Sequence, residues 1–209
     1  MIVLSHRGHW TSAEEKNRPA AFHRSFDGGF GTETDVRDRG GELVIAHDMA
    51  RPDDLRLDDV LDILDSRDLP LALNIKADGL GPALAERMAA RRLTNWFTFD
   101  MAPPDLVFQL RCGLPAFTRV SDYEPSPVCY DQAGGVWLDA FERDWFEPRD
   151  ITGFLSDGKK VCVVSPELHR RDPAAVWAML RTPALAGCPD LMLCTDQPRA
   201  AADYFGGVA

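Results

Sequence analysis

Two carboxylates separated by a single residue, Glu33 and Asp35, stand in the short predicted strand Gly31–Val36. Alternate side chains of a β-strand point the same way, so this spacing predicts that both carboxylates lie on one face. Neighbouring anions repel each other unless they share a proton or bind a cation, and oxygen ligands of this kind suit Mg²⁺ or Ca²⁺. The pair therefore predicts a divalent metal site, with an ion pair to Arg7 or Arg37 as the structural alternative.

A histidine and an arginine follow the first apolar run, in the sequence Ser5-His6-Arg7-Gly8. Imidazole transfers protons near neutral pH, and a guanidinium grips phosphate oxygens in a fork of hydrogen bonds. A surface loop with a helpful glycine would show the same four residues. The segment indicates phosphate chemistry only in combination with other motifs.

A second histidine, His47, ends the apolar run that follows a Gly-Gly turn. This pattern predicts a small hairpin that folds His47 back over the end of the strand carrying the paired carboxylates. Asp48 could orient or charge-balance the imidazole, as carboxylates often do for catalytic histidines. His23 falls on a predicted outer helix and is expected to be structural, whereas His9 and His169 lie near strand ends and are secondary candidates.

Short apolar runs bounded by turn residues alternate with segments of helical spacing along the chain. The predicted strands are Ile2–Ser5, Gly31–Val36, Leu71–Lys76, Trp96–Asp100, Ala116–Val120, Gly135–Asp139, Lys160–Ser165 and Leu191–Thr195. The predicted helices include Leu57–Leu64, Pro82–Arg92, Pro104–Leu110, Glu147–Leu155, Pro173–Leu180 and Arg199–Phe205. Such alternation favours an α/β fold with parallel strands closed into a single (β/α)₈ TIM barrel, with seven strands or an open sheet as alternatives.

Polar residues end most of the predicted strands. They are His6, Arg7, Glu33, Asp35, Asn74, Lys76, Asp100, Arg119, Asp139, Ser165, Glu167 and Asp196. The working residues of a barrel lie at the carboxyl ends of its strands, and this ring is too polar to be packing. It predicts a functional site.

The composition of the 209 residues predicts one globular domain, residues 1–209, with a net charge of −10. That charge argues against nucleic acid and anionic membranes as partners, but not against a small phosphate substrate, because a bound cation reverses the local field. No segment approaches the ~20 apolar residues of a membrane span, and the first strand leaves no room for a signal peptide, so a cytoplasmic protein is expected. The five cysteines are expected to be buried, reduced thiols. The oligomeric state is left open.

Several of these motifs occur in the order and spacing of the glycerophosphodiester phosphodiesterases, which the chain resembles over nearly its whole length. The matching segments are Ser5–Gly8, Asn17 before Ala20-Ala21-Phe22, Glu33–Val36, His47-Asp48, Leu73–Lys76 and Cys194–Pro198. The resemblance implies a barrel enzyme that hydrolyses phosphodiesters with a divalent cation and two histidines acting as general acid and base. It implies catalytic positions for His6 and His47, phosphate-binding positions for Arg7 and Lys76, and metal positions for Glu33 and Asp35.

Two departures from the family pattern bear on the substrate and the metal. The family usually has a glutamate metal ligand where this chain has Asn74, whose carbonyl oxygen can bind a cation but carries no charge. The family also commonly has a sizeable insertion after the second strand, which helps to recognise glycerol, and here only about ten residues, Met49–Asp58, occupy that place. The resemblance therefore implies phosphodiester chemistry and leaves glycerol recognition open.

A further acidic ligand is expected to supply the missing charge. Asp139 is the first choice because the alternation from Trp137 to Asp139 would turn both side chains inward, while Asp100 could instead cap the helix after it. Asp48, Asp100 and Glu167 are the remaining secondary candidates.

Two alternative functions remain open, and a third is excluded by the residues. A lyase similar to phosphatidylinositol-specific phospholipase C would use a similar barrel and two histidines, and would release a cyclic phosphate. A barrel that binds a phosphate ligand but has lost activity would explain Asn74. A metal-dependent amidohydrolase is rejected, because that class needs two histidines one residue apart on the first strand, whereas His6 and His9 are three apart.

Overall fold

A computed structural model describes residues 1–206. The strands are β1 Ile2–His6, β2 Gly31–Arg39, β3 Glu42–Ile45, β4 Leu71–Ile75, β5 Trp96–Phe99, β6 Phe117–Val120, β7 Gly135–Leu138, β8 Lys160–Val164 and β9 Leu191–Thr195. The α-helices are α1 Pro19–Asp27, α2 Leu57–Leu64, α3 Gly81–Ala90, α4 Pro103–Arg111, α5 Pro148–Ser156, α6 Ala174–Leu180 and α7 Pro198–Phe205. Short 3₁₀ helices span Ala13–Glu15 and Pro166–His169.

Eight parallel strands form the barrel, in the order β5-β4-β2-β1-β9-β8-β7-β6. The two ends of this order meet at a single parallel bridge between Thr98 and Ala116, where the Thr98 amide donates to the carbonyl of Pro115 at 2.9 Å. Within residues 1–206, an α-helix follows each barrel strand except β6, and the hairpin strand β3 comes between β2 and α2. The predicted (β/α)₈ barrel is therefore confirmed, with its weakest seam between β5 and β6.

The second strand is longer than predicted. It continues to Arg39 because its last four residues pair with β3 in an antiparallel hairpin, from Val36 opposite Ile45 to Arg39 opposite Glu42. Gly40 and Gly41 make the turn with positive φ angles of 57° and 91°, a conformation that glycine adopts without strain. The predicted hairpin that returns the chain toward His47 is confirmed.

Large aromatic side chains fill the inside of the barrel. Phe97 stacks on Phe117 with ring centroids 3.8 Å apart, and Phe99 stacks on Trp137 at 3.7 Å. These residues belong to a buried cluster that also includes aliphatic and sulfur side chains from β1, β4, β8 and β9. Two further apolar clusters lie between the barrel and the helices. The aromatic layer forms the floor beneath the polar carboxyl ends of the strands.

We expect Phe99→Ala to lower the free energy of unfolding by about 3–5 kcal/mol, because the fully buried ring leaves a cavity against Trp137. Urea unfolding followed by tryptophan fluorescence measures the change. Phe108→Ala on α4 is the matched control, since its side chain is 43% exposed and should cost much less. Equal losses in the two variants would contradict this packing.

The expectation that all five cysteines are buried is wrong. Cys162 and Cys194 lie inside the barrel, whereas Cys112 is exposed and Cys129 and Cys188 are partly exposed. The three outer cysteines lie in turns or at a helix end, where apolar character alone does not bring burial. All five are free thiols.

Within residues 1–206, no helix is long and apolar enough to cross a membrane.

Candidate active site at the carboxyl ends of the strands

Four polar residues lie side by side where β1, β2 and β4 end. The register sets His6 beside Glu33 and Asp35 beside Asn74. Glu33 and Asp35 lie on the same face of β2, as their spacing predicts, and both are almost completely buried, while Asn74 is 8% exposed. Parallel pairing thus assembles a compact group of oxygen-bearing side chains next to an imidazole.

His6 is held by a carboxylate from the last strand. Its Nδ1 lies 2.7 Å from Oδ1 of Asp196, while Nε2 lies 3.8 Å from Oε2 of Glu33. Burial lowers the pKa of His6, and the hydrogen bond with Asp196 opposes this effect only in part. The imidazole is therefore expected to be neutral near pH 7, with its Nδ1 proton donated to Asp196 and Nε2 available as a base.

From the sequence, Asp196 is a member of the polar ring and of a motif shared with the family, but the sequence does not indicate a function for it. The contact follows from the topology. Because β9 pairs with β1 and Thr195 lies opposite Ser5, the residues that follow them, Asp196 and His6, must be neighbours. Burial acts to raise the pKa of Asp196, but the hydrogen bond from His6, together with the positive charge of Lys16, prevails and lowers it. Asp196 is therefore an ionised partner for His6.

Glu33 stands in an unfavourable environment for a charge. Burial, and next the charge of Asp35, raise the pKa of Glu33 to about 8. Its Oε2 accepts no hydrogen bond from the described residues. A buried carboxylate without a partner is costly, so the site favours a proton or a cation at this position.

Asp35 is surrounded by donors and cations. Nε of Arg7 lies 2.9 Å from its Oδ2, Nζ of Lys76 lies 3.4 Å from its Oδ1, and the Asn17 amide donates to Oδ2 at 2.9 Å. The ion pair between Arg7 and Asp35, which is the structural alternative to a metal site, is therefore present. Arg37 instead turns away and donates to the carbonyl of His47. Arg7 and Lys76 nevertheless come together beside the acidic group, where a phosphate would need them.

Asp100 lies against Asn74. The Asn74 amide donates to Oδ2 of Asp100 at 3.2 Å, and Arg119 pairs with Oδ1 of Asp100 at 2.8 Å. Burial raises the pKa of Asp100, opposed by the charge of Arg119. Asp100 does not cap the following helix, whose N-cap residue is Ala102. The Asn74 carbonyl oxygen is left buried and without a hydrogen-bond partner among the described residues.

Asp139 and Glu167 are engaged elsewhere. Oδ1 of Asp139 lies 2.7 Å from Nε2 of His169 and also accepts from the Ala140 amide. Glu167 accepts from the hydroxyls of Ser165 and Thr195 and from the backbone amide of Asp196 at 3.1 Å. Of the two aspartates considered as an additional ligand, Asp100 and not Asp139 contacts Asn74. Glu167 supports the position of Asp196.

His47 reaches the site from the hairpin side and is half exposed. Its Nδ1 lies 2.9 Å from Oδ1 of Asp48, so that, as in His6, the other ring nitrogen is left for chemistry. His47 lines a pocket of about 280 Å³ together with Arg7, while no hydrogen bond or ion pair joins it to His6 among the described residues. The predicted pairing of His47 with Asp48 is present.

Three of the residues that shape the site carry positive φ angles: Arg7 at 60°, Asn17 at 59° and Asp100 at 67°. Such angles are uncommon outside glycine, although asparagine and aspartate tolerate them better than arginine, and at Arg7 the conformation costs free energy. Gly8 follows at φ 81°, where a Cβ atom would come within 2.8 Å of Ala21. The β1–α1 loop is therefore tightly constrained around the residue that contacts Asp35.

Three oxygen atoms at this position are of the chemical type that binds a hard divalent cation. Glu33 Oε2, Asp35 Oδ1 and Asn74 Oδ1 are buried, belong to adjacent strands and accept no hydrogen bond from the described residues, although Nζ of Lys76 lies at ion-pair distance, 3.4 Å, from Asp35 Oδ1. Within residues 1–206, no three His, Cys, Asp or Glu side chains form a group that could hold a metal ion. The third oxygen donor beside Glu33 and Asp35 is the amide oxygen of Asn74, and asparagine is not among those four residue types. Two carboxylate oxygens and one amide oxygen, completed by water, would suit Mg²⁺ or Ca²⁺.

No protein-family model matches the chain, and no curated protein matches it. Solved structures do resemble it. A provisional glycerophosphodiester phosphodiesterase from Galdieria sulphuraria superimposes with a TM-score of 0.78 at 15% identity, covering 99% of this chain and 98% of the other. A glycerophosphodiester phosphodiesterase from Agrobacterium tumefaciens matches with a TM-score of 0.70 at 16% identity, covering 99% and 100% of the two chains.

A third structure is a phosphodiesterase from Oleispira antarctica in complex with the product sn-glycerol-3-phosphate. It matches with a TM-score of 0.70 at 16% identity, and the alignment covers 98% of this chain and 96% of that one. At these identities the likeness shows a shared fold along the length of the chains. This structural likeness agrees with the barrel fold that the sequence motifs predict.

Proposed function

We propose that the chain hydrolyses a small-molecule phosphodiester with the help of a divalent cation, Mg²⁺ or Ca²⁺. The observation that carries the proposal is the set of three buried oxygens without hydrogen-bond partners, on Glu33, Asp35 and Asn74, beside an imidazole held by Asp196. The fold shared with three phosphodiesterase structures supports the same reaction class. One of those proteins holds sn-glycerol-3-phosphate as its product, which favours a glycerophosphodiester as substrate.

In this proposal the two histidines transfer protons through their Nε2 atoms, because Nδ1 of each ring faces a carboxylate. His6, buried and with a lowered pKa, takes the proton of the attacking hydroxyl or water. His47, exposed at the pocket and paired with Asp48, returns a proton to the leaving alkoxide. Each carboxylate holds its imidazole in one orientation and stabilises the cationic form.

Negative charge on the phosphate is met by Arg7 and Lys76, which lie together around Asp35. The planar fork of Arg7 is suited to two phosphate oxygens, while Lys76 supplies a point charge. A bound divalent cation would contribute Lewis-acid stabilisation of the phosphate. Asp100 and Arg119 lie behind Asn74, where their pairing holds the amide in place.

The decisive experiment is a phosphorus NMR assay of a panel of phosphodiesters, with Mg²⁺, Ca²⁺ or Mn²⁺ added separately to protein treated with chelator. We expect release of an open phosphomonoester that depends on the added cation. A cyclic phosphate as the final product would identify a lyase similar to phosphatidylinositol-specific phospholipase C. If no diester of the panel is turned over with any cation, the hydrolase proposal is wrong and a binding function gains support.

Arg7→Lys tests the phosphate role. The substitution keeps the positive charge and the residue's unusual backbone angle but removes the planar fork, so kcat/KM should fall by about tenfold or more. The affinity for the divalent cation, measured by calorimetry without substrate, should stay within about twofold, because Arg7 is not a proposed metal ligand. A large loss of metal affinity with unchanged kcat/KM would assign Arg7 to the metal site instead.

A further inference from the structure

A pocket of about 280 Å³ opens beside the proposed reaction centre, between the β1–α1 loop and the loop that follows β3. Four cationic side chains line it, from Arg7, Lys16, Arg18 and Arg51, against only two carboxylates. This balance is unusual in a chain whose net charge is −10. The pocket is therefore a local basic surface on an acidic protein.

The cations of this pocket are poorly neutralised. Arg18 and Arg51 are exposed and form no ion pair within residues 1–206. Lys16 lies over the ring of Trp10 at 4.4 Å, and its nearest carboxylate oxygen, on Asp196, is 3.9 Å away. These side chains are free to make charge-assisted contacts with an anion.

The two carboxylates of the pocket face other partners. Asp48 is paired with His47, and Oδ2 of Asp54 accepts the backbone amide of Arg51 at 2.6 Å. Neither makes an ion pair with the guanidinium of Arg18 or Arg51 among the described residues. The acidic groups thus maintain the hairpin loop and leave the positive charge of the arginines largely uncompensated.

We propose that this pocket binds a second anionic group of the substrate, a phosphate monoester carried by one of the two alcohols of the phosphodiester. The inference rests on the proposed hydrolase function, since Arg7 lies at the reaction centre and also lines the pocket. A phosphodiester held at Arg7 would extend one substituent past His47 toward Arg18 and Arg51. Only residues 49–56 separate His47-Asp48 from α2 on this side, so the arginines are reached without a covering domain.

The test compares glycerophosphoinositol with glycerophosphoinositol 4-phosphate, two substrates that differ by one phosphate monoester. In the wild-type protein the phosphorylated substrate should have the higher kcat/KM. The double variant Arg18→Ala/Arg51→Ala should lower the ratio of the two kcat/KM values by about tenfold, the effect of losing charge-assisted contacts. Arg111→Ala, an exposed arginine at the far end of α4, is the matched control and should leave the ratio unchanged.

Binding of inorganic phosphate, measured by calorimetry, gives a readout independent of turnover. Affinity should weaken in the double variant and not in Arg111→Ala, and it should fall as salt concentration rises. If neither diester is hydrolysed but phosphate affinity depends on Arg18 and Arg51, the proposed hydrolase function fails and the anion pocket stands. If both the kcat/KM ratio and the phosphate affinity are the same in the double variant and the control, the pocket proposal is overturned.

Discussion

Replacing His6 with alanine is expected to lower kcat by at least ~10², the low end of what general acid–base catalysis contributes, while the barrel stays folded. The imidazole ends β1, contacts Asp196 and Glu33, and packs no part of the apolar core. His47→Ala should cause a loss of similar size, because the proposed reaction needs one proton acceptor and one donor. Turnover of the best diester substrate, followed by phosphorus NMR, measures both effects.

His23→Ala provides the matched control, since His23 is exposed on α1 and lies outside the candidate site. Its kcat should equal that of the wild type. Asp196→Asn adds a finer test: it keeps the shape of the side chain but removes the charge that orients His6 and raises its pKa. The kcat should therefore fall, and the acidic limb of its pH profile, set by His6 as the base, should shift to lower pH. Near-normal kcat in His6→Ala or His47→Ala, with the variant folded, would refute the corresponding proton-transfer role.

Glu33→Gln is expected to change the pH dependence of stability and to abolish stabilisation by a divalent cation. In the metal-free protein, burial raises the pKa of Glu33 from 4.5 to about 8. A raised folded-state pKa contributes stability that is fully present below the unfolded-state value and is lost as pH rises through the folded-state value. Ionisation of Glu33 should therefore lower the free energy of unfolding of the metal-free protein by several kcal/mol as the pH rises from about 4.5 to about 8.

In the presence of chelator, the free energy of unfolding of the wild type should fall more steeply from pH 5 to pH 8 than that of Glu33→Gln, because glutamine does not ionise. At pH 8, added Mg²⁺ or Ca²⁺ should raise the Tm of the wild type and leave that of the variant nearly unchanged. Glu86→Gln on the exposed face of α3 is the control and should behave as the wild type. A cation that raises the Tm of Glu33→Gln as much as that of the wild type would place the metal elsewhere.

The sequence by itself determined the barrel and most of the polar ring. Short runs bounded by turn residues, mostly apolar outside β2, mark all eight barrel strands to within a few residues, because a strand buried on both faces leaves a local signature. The spacing of Glu33 and Asp35 also determines locally that they share a face. The hairpin before His47 followed from its Gly-Gly turn, which only a tight reversal needs.

Only the tertiary structure decided which members of the ring touch each other. Asp196 contacts His6 across 190 positions of sequence because β9 pairs with β1, and it is Asp100 that contacts Asn74 because β5 pairs with β4. The gathering of Arg7, Lys76 and Asn17 around Asp35 depends likewise on a loop and two strands that meet only in the folded barrel. Strand pairing and side-chain direction are long-range outcomes of closing the barrel, and no local pattern of residues encodes them.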